Sequence, residues 1–261
     1  MKPRLFIFGL GYCAARIAAR AQACGWEVVS TGRAGTLAFD DAGAVRLALA
    51  DSAQVLSSVP PSGEGLDPVL ELFGDSLAGK GLSYLSSTGV YGDCGGAWVD
   101  ESAPTGTGRR TARSEADAAW LARGARVLRL PGIYGPGRSA LDRVREGWAQ
   151  RIDLPDQVFS RVHVDDIVAG VLLALDAPAG AYNLADDLPC SQNTVIEEAS
   201  RLLGVAPPPL QTLEAAALSP SARAFYAENR RVANGKAKRV LGWSPRFASY
   251  RQGLAALLAT T

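Results

Sequence analysis

Residues 5–14, Leu-Phe-Ile-Phe-Gly-Leu-Gly-Tyr-Cys-Ala, decide the fold of this chain. The first four form a short apolar run that ends at glycine, which predicts a buried parallel strand. The pattern Gly-x-Gly-x-x-Ala follows and opens an alanine-rich segment with apolar residues at helical spacing. In such a unit Gly9 makes the tight turn, Gly11 admits a pyrophosphate, and Ala14 lets the helix pack closely on its strand. The stretch therefore predicts a dinucleotide site at the start of the helix, where free N–H groups attract phosphate.

The composition is that of an ordinary globular chain with a substantial core. Of 261 residues, 48% are hydrophobic and 20% are charged, and the formal net charge is +1. No basic run is long enough to indicate a nucleic-acid face. No apolar stretch approaches bilayer length, and residues 1–4 lead straight into the first strand, so neither a membrane span nor a secretory leader is expected. We expect a cytoplasmic protein with no nucleic-acid or membrane partner.

Metal and disulfide chemistry are not expected. The four cysteines show no Cys-x-x-Cys spacing, and the chain has a single histidine. Without a His/Cys cluster there is no predicted zinc site, and buried free thiols are the better interpretation of the cysteines.

The second predicted strand, residues 27–31, ends at Arg33. In a dinucleotide fold this strand end contacts the adenosine ribose: an acid accepts from a 2′-hydroxyl, whereas an arginine suits a 2′-phosphate. Because Arg33 has no acid beside it, we predict NADP rather than NAD; a solvated loop arginine is the alternative. Residues 37–39 are expected to form a short strand, with Asp40 near the adenine.

Strand and helix patterns then alternate to the end of the chain. This alternation predicts an α/β fold, a Rossmann-like doubly wound parallel sheet with a small C-terminal substrate lobe. The dinucleotide-binding domain is predicted at 1–181 and the lobe at 182–261, interleaved with 135–165. Further strands are predicted at 54–59, 82–87, 128–130 and 181–184. Helices are predicted at 44–50, 68–73, 141–149, 166–175, 192–203 and 214–227, the last of them interrupted near Pro220. Residues 152–155 are expected to form a loop.

The predicted strands run into loops rich in Gly, Ser and Pro at their carboxyl ends, the edge where open α/β sheets bind ligands. Cofactor contacts are therefore expected from Gly9, Gly11, Tyr12, Arg33, Asp40, Ser57, Ser58, Pro60 and Ser86.

Residues 86–92, Ser-Ser-Thr-Gly-Val-Tyr-Gly, carry a family resemblance. With the N-terminal glycine motif they resemble the extended short-chain dehydrogenase/reductase family, the group of nucleotide-sugar epimerases and dehydratases. Similar motifs follow in family order over nearly the whole chain, at 100–104, 128–137, 162–167 and 236–245. The resemblance implies that Ser87 is the catalytic serine and that Pro131 and Ile133 lie beside the nicotinamide. It allows a monomer or a homodimer.

One departure from the family affects the mechanism. The family carries Tyr-x-x-x-Lys with an acid four residues further on, and the matching residues here are Arg109, Arg113 and Asp117. A guanidinium stays protonated and cannot exchange a proton with a substrate hydroxyl. Arg113 is expected to donate to the nicotinamide ribose, and Arg109 to bind an anionic substrate group or the cofactor phosphate. A helix that has drifted, with solvated arginines, is the alternative.

An acid–base group must then come from elsewhere. The candidates are Tyr91 just after Ser87, Tyr134 in the Tyr-Gly-Pro-Gly turn, and His163, whose ordinary pKa is near neutral. A structural or pocket-lining histidine is the alternative for His163.

Arg231, or its neighbour Arg230, is the nearest match to the family arginine that holds a substrate diphosphate. A solvated basic turn is the alternative for this pair.

Two functions are compatible with these residues. The first is an NAD(P)-dependent oxidoreductase or epimerase-like enzyme acting on a small molecule that the arginines suggest is anionic. The second is a catalytically silent NADP-binding module that reports redox state to a partner. Thr88-Gly89 replaces the Asp-Glu pair of the dehydratase branch, which argues against dehydration.

Overall fold

The computed structural model describes residues 2–63, 67–108 and 111–260, along which strands and helices alternate. The elements in chain order are β1 (Arg4–Phe8), α1 (Tyr12–Ala23), β2 (Glu27–Ser30), α2 (Ala42–Ala50), β3 (Gln54–Ser57), α3 (Pro68–Phe73), β4 (Gly81–Ser87), β5 (Trp98–Val99), α4 (Thr111–Ala122), β6 (Arg126–Leu130), β7 (Gly132–Tyr134), α5 (Ala140–Arg145), β8 (Arg151–Ile152), β9 (Arg161–His163), α6 (Val164–Ala174), β10 (Gly180–Asn183), α7 (Gln192–Leu203), β11 (Leu210–Gln211), α8 (Pro220–Phe225), β12 (Arg231–Val232), α9 (Gly235–Leu241) and α10 (Tyr250–Ala259).

A parallel sheet of six strands, ordered β10-β6-β4-β3-β1-β2, forms the centre of the molecule. The chain leaves β1 for β2 on one side and returns to β3 on the other, so the direction of winding reverses at β1. Ligands bind at such a reversal, beyond the carboxyl ends of the strands. Helices cover both faces, and the predicted Rossmann-like α/β fold is confirmed.

The first strand contributes to both faces of the core. Leu5 and Ile7 pack with α1 and α6, whereas Phe6 and Phe8 pack with α2, α3 and α4. All four side chains are fully buried. Alternate residues of a strand point to opposite faces, so a run of four apolar residues suits a sheet covered on both sides. Each such side chain contributes about 1.5–3 kcal/mol through burial.

A further apolar cluster lies beyond the end of the sheet, where α5, α7 and α10 pack together. The short ladders β7·β9 and β8·β11 belong to this part of the molecule. Residues 135–165 contribute α5, β8 and β9 to it. The domain division at residue 181 stays a prediction.

Several helix ends are set by capping residues, and those predicted at 68 and 203 are confirmed. Gly25 follows α1 with φ +91°, the left-handed backbone that glycine favours. Pro68 begins α3, where the carboxylate of Asp67 accepts from two backbone N–H groups of the first turn. Ser191 caps α7, which ends at Gly204 with φ +69°. Local capping chemistry therefore fixes these boundaries.

One predicted strand is wrong, and one predicted loop is right except at its first residue. The strand expected at 37–39 is reduced to an isolated bridge between Leu37 and Thr31. The loop expected at 152–155 is found at 153–155, whereas Ile152 belongs to β8, which pairs with β11 almost sixty residues further along the chain. Such a distant partner leaves no local sequence signal.

Two predicted helices are shorter than expected. The helix expected at 141–149 ends at Arg145, and Gly147 turns the chain with φ +74°. The helix expected at 214–227 is confined to α8, because Ser219 caps it and Pro220 occupies its first turn. Within the described ranges, no helix has both the length and the apolar character needed to cross a bilayer.

Candidate active site

A cleft of about 730 Å³ opens at the carboxyl ends of the sheet strands. Its inner half, next to the sheet, is lined by residues 11–14, 58, 85–89, 113 and 130–133. Its outer half is lined by residues from 138 to 161, by Gln192, and by residues from 218 to 232. The cleft thus lies between the strand ends and the C-terminal part of the chain.

The glycine turn forms one end of the inner half. Gly9 has φ +80°, and a Cβ on it would lie 3.1 Å from Val59 Cγ2. Ser58 donates its hydroxyl to the Gly9 carbonyl and so closes the turn. Gly11 is the N-cap of α1; no side-chain cap is found there among the described residues, and nothing lies within 4 Å of where its Cβ would be. The first turn of α1 therefore presents uncapped N–H groups and open space, which fit a pyrophosphate.

Tyr12 joins this turn to the Tyr-Gly-Pro-Gly segment. Its hydroxyl donates to the carbonyl of Pro136 at 3.1 Å, and the Arg16 guanidinium lies 3.9 Å from the ring centroid. A Cβ at Gly135 would collide with the Tyr12 hydroxyl, so glycine is needed there. Burial raises the pKa of Tyr12, and its phenol stays protonated.

Ser87 and Arg113 line the inner half beside the end of β4. Ser87 Oγ accepts from the N–H of Gly89 at 3.1 Å, which leaves its own hydrogen available to a ligand. Arg113, in the first turn of α4, donates through Nη1 to the hydroxyl of Tyr84 at 2.7 Å and to the Leu85 carbonyl. The remaining N–H donors of Arg113 are available to a bound group.

A buried polar network lies behind these residues. Asp117 on α4 accepts from Ser86 Oγ at 2.6 Å and forms a two-pronged ion pair with Arg129. Burial opposes the charge of Arg129, but its hydrogen bonds to Asp117 raise its pKa overall. Arg129 also donates to the Tyr91 hydroxyl, which donates in turn to Asn183. Every member is buried, so the network fixes α4 against the strand ends.

Tyr91, a predicted proton donor, lies within this buried network. Its hydroxyl is occupied by Asn183 and Arg129, and its side chain is outside the cleft lining. Burial raises its pKa. Tyr91 is therefore part of the network, and its role as a proton donor stays a prediction.

Tyr134 and His163 also lie outside the cleft lining, and a role for either in proton transfer stays a prediction. The Tyr134 ring packs edge-on against His163 and against Gly253 of α10, and burial, then nearby carboxylates, raise its pKa. His163 caps α6: its Nδ1 accepts from the N–H of Asp165 at 3.2 Å. Burial lowers the pKa of His163, which favours the neutral ring.

The arginines predicted to hold a substrate group lie in different places. Arg231 donates to the carbonyl of Gly96 beside the β5·β12 ladder, and it lies outside the cleft lining. Its neighbour Arg230 lines the outer half and is paired with Glu228 at 3.0 Å. Arg109 lies outside the described residues.

The predicted cofactor contacts are divided between the cleft and its surroundings. Seven of them line the cleft: Gly11, Tyr12, Ser58, Ser86, Arg113, Pro131 and Ile133.

The other predicted contacts lie outside the cleft lining. Ser57 is fully buried in β3, and its contact with a cofactor stays a prediction. Arg33, Asp40 and Pro60 are exposed beyond the strand ends. Their contact with the adenosine half of a cofactor stays a prediction.

The sequence analysis missed most of the outer half. Arg143, Trp148, Arg161, Gln192 and Tyr226 all line it. They come from three separate elements and two connecting segments, and their spacing along the chain carries no motif. Among the described residues, no group of three or more His, Cys, Asp or Glu side chains is arranged to hold a metal ion.

Solved structures of other proteins share the fold of this chain. No protein-family model matches the chain. A solved structure of a conserved protein of unknown function from Silicibacter pomeroyi DSS has a TM-score of 0.88 and 36% identity, over 100% of this chain and 99% of that one. The human epimerase-family protein SDR39U1, solved with NADPH, shares the fold with a TM-score of 0.81 and 15% identity, over 99% of this chain and 100% of that one.

A curated relative adds a named activity. A 3-diazoavenalumate denitrifying reductase from Streptomyces is 35% identical over 143 residues. The matched stretch covers 49% of this chain and 45% of the reductase, so the chain matches less than half of that protein's length.

The doubly wound sheet, the Gly-x-Gly-x-x-Ala turn and the Ser87 strand end agree with the resemblance to the extended short-chain dehydrogenase/reductases, and the fold is shared with the epimerase-family protein SDR39U1. In that resemblance, Arg109 and Arg113 stand at the positions of the Tyr-x-x-x-Lys pair. The chain belongs to the family of the conserved Silicibacter pomeroyi protein.

Proposed function

We propose that the protein is an NADP-dependent oxidoreductase that reduces an anionic small molecule. The observation that carries this proposal is that the uncapped first turn of α1, Ser87 and Arg113 all line one continuous cleft. A phosphate-binding turn and two donors beside a strand end are what a dinucleotide and a substrate oxygen require.

The choice of cofactor rests on the end of β2. Arg33 is exposed there without an acid beside it, which suits a 2′-phosphate. The NADPH in the SDR39U1 structure is consistent with that choice. A bound nicotinamide dinucleotide supplies the hydride in such a reaction. The activity named for the Streptomyces relative favours reduction over epimerisation.

Two side chains of the protein, those of Ser87 and Arg113, have roles in this reaction. Ser87 donates its hydroxyl hydrogen to the polar group of the substrate next to the hydride-accepting atom. Arg113, tethered to Tyr84, holds the ribose side of the cofactor. Since Tyr91, Tyr134 and His163 lie outside the cleft lining, we assign the proton to water that reaches the open cleft.

The anionic character of the substrate rests on the charge of the outer half. Arg138, Arg143, Arg161 and Arg230 line it, and Glu228 is the one acid among the described lining residues. A cleft with this excess of cations favours an anionic ligand.

Titration of the protein with NADPH and NADH, followed by tryptophan fluorescence, tests the cofactor assignment. NADPH is expected to bind, Gly11→Val to abolish binding, and Arg33→Ala to weaken NADPH binding more than NADH binding. Arg20→Ala, an exposed arginine of α1, is the matched control and should bind NADPH normally. Failure of both dinucleotides to bind would reject the proposal. Ser87→Ala should lose turnover and keep NADPH binding.

A second function is favoured by the replacement of the Tyr-x-x-x-Lys pair with Arg109 and Arg113. A catalytically silent module that binds NADP and reports its redox state needs no proton donor. Incubation of NADPH carrying deuterium at C4 with the protein and a cell extract separates the two functions. Transfer of the label to a metabolite, absent with Ser87→Ala, supports the enzyme; retention of all label supports the silent module.

A further inference from the structure

The outer half of the cleft includes Arg143 and Arg161, neither of which has a carboxylate partner among the described residues. Arg161 is buried, and its guanidinium donates to the carbonyl oxygens of Phe159, Cys190 and Ser191 at 2.9–3.2 Å. Arg143, on the facing helix α5, is half-buried and has no described salt bridge within 4.0 Å.

The two positive charges act on each other. Burial, and then the charge of Arg161, lower the pKa of Arg143, while Tyr226 opposes this effect. Asp186 lies near Arg161, yet its described side-chain hydrogen bond is with the N–H of Leu188. Two cations facing one another in a partly dry cleft favour a bound anion over water.

The side-chain amide of Gln192 gives independent evidence that a ligand supplies a hydrogen-bond acceptor here. Arg161 Nη2 donates to Gln192 Oε1 at 3.3 Å, and because arginine only donates, this contact fixes which end of the amide faces it. The other end, Nε2, is then a buried N–H donor without a partner among the described residues. A buried donor left unpaired costs about 1–3 kcal/mol, which an acceptor on a ligand would recover.

Aromatic side chains form the rest of this wall. The Tyr226 ring packs edge-on against Phe159 with 5.5 Å between ring centroids. Trp148 and Phe225 also line the cleft and are 61% and 50% exposed, although both are large and apolar. Exposed aromatic faces beside a cationic site suit a flat, apolar ligand body.

We propose that the outer half of the cleft is an oxyanion subsite, in which Arg143, Gln192 and Tyr226 bind the carboxylate or phosphate of a substrate with a planar, unsaturated body. Arg161 holds the Gln192 amide in place, and Trp148 and Phe225 flank the planar body. This subsite rests on the proposed reductase function and narrows its substrate to planar oxyacids.

Equilibrium binding of small probes tests the subsite without turnover. The probes are benzoate, phenyl phosphate, inorganic phosphate and the neutral benzamide, each titrated by calorimetry with and without saturating NADPH. One or both aromatic anions should bind, and which one binds more tightly separates carboxylate from phosphate. Benzamide, which lacks the charge, and inorganic phosphate, which lacks the ring, should bind at least about tenfold more weakly, a difference of about 1.4 kcal/mol.

Variants distinguish anion binding at this subsite from a general effect of the protein's charge on anion binding. Arg143→Gln should weaken binding of the aromatic anions by about tenfold to a hundredfold, the usual worth of a charged hydrogen bond. Arg201→Gln removes one equal charge from an exposed pair on α7, outside the cleft lining, and should leave binding unchanged. Tyr226→Phe keeps the ring and should weaken binding several-fold, so the subsite is still tested if Arg143→Gln fails to fold.

The possible outcomes are distinct. Absence of any anion binding, equal binding of benzoate and benzamide, or equal loss in the Arg143 and Arg201 variants would overturn the oxyanion subsite. Inorganic phosphate binding as tightly as phenyl phosphate would overturn the planar body. Anion binding that depends on Arg143 in a protein that binds no NADPH would reject the reductase and leave the subsite supported.

Discussion

The hydroxyl of Ser86 donates a 2.6 Å hydrogen bond to the carboxylate of Asp117, so the first serine of the strand end serves a buried network. The second serine, Ser87, has its hydroxyl hydrogen available at the cleft. Two neighbouring residues of the same type thus have different tasks, because successive side chains of a strand point in opposite directions.

The network predicts unequal effects of two substitutions. Asp117→Ala leaves the buried Arg129 without its counter-charge and should lower the free energy of unfolding by about 3–5 kcal/mol. Ser86→Ala removes one hydrogen bond and keeps the ion pair, so the loss should be about 1 kcal/mol. Urea denaturation measures both. Equal losses would show that the ion pair contributes no more than the serine.

The two glycines of the first turn should separate folding from cofactor binding. Gly9→Ala places a side chain at φ +80° against Val59 and should destabilise the fold by about 1–2 kcal/mol. Gly11→Ala meets open space at φ −85°, so stability should be unchanged. NADPH binding by Gly11→Ala should weaken by about tenfold, which is about 1.4 kcal/mol. Normal NADPH binding by a folded Gly11→Ala variant would contradict the cofactor site.

Tyr134 and Tyr91 form a matched pair for removal of a buried hydroxyl. The Tyr134 hydroxyl is buried without a hydrogen-bond partner among the described residues, so Tyr134→Phe should stabilise the protein by about 1 kcal/mol. Tyr91→Phe loses bonds to Asn183 and Arg129 and should destabilise by about 1–3 kcal/mol. Neither variant should lose turnover. A large fall in turnover with stable Tyr134→Phe would restore that tyrosine as a proton donor.

Asp186 predicts a pH-dependent stability. Burial raises its pKa to about 7, against the influence of Arg161. The folded state therefore holds a proton that the unfolded state releases, and stability contributed by this group falls as pH rises from about 4 to about 7. Asp186→Asn removes the charge, so its stability relative to the wild type should rise by a few kcal/mol over that range.

His163 has the opposite effect on the pH dependence of stability. Burial lowers its pKa, so below pH about 6.5 the unfolded chain binds a proton more readily than the folded protein, and stability falls as pH falls. Because both proteins contain His163, its contribution cancels in the difference in unfolding free energy between Asp186→Asn and the wild type. Urea denaturation at pH 4.5 and 7.5 measures the difference. A difference that is constant with pH would show that Asp186 ionises normally in the folded protein.

The sequence was most informative where one local segment carries the whole signal. The strand and turn at residues 5–14 depend on the spacing of apolar residues and on the positions of glycines, and the sequence alone shows both. The same holds for Ser87, whose strand-end motif is contiguous, and for Arg113, whose alignment is supported by Asp117 four residues on.

Side-chain direction limited the remaining predictions. Ile133 and Tyr134 are adjacent on β7, and the first lines the cleft while the second faces α10. Arg230 and Arg231 are divided in the same way. Adjacent side chains in extended chain point to opposite sides, so a motif alone does not fix which of them faces the cleft. The outer half joins segments far apart in the chain, and only tertiary packing brings them together.

The ladder between β5 and β12 has a consequence for the order in which the protein is made. Trp98 and Val99 follow the Ser87 turn closely, yet their partners are Arg231 and Val232. On the ribosome, the six sheet strands are complete once Asn183 has emerged. The loop beyond Ser87 still lacks its partner at that stage, and the cleft gains its second wall only during the last part of translation. A nascent chain is therefore able to assemble its sheet well before it can assemble its substrate site.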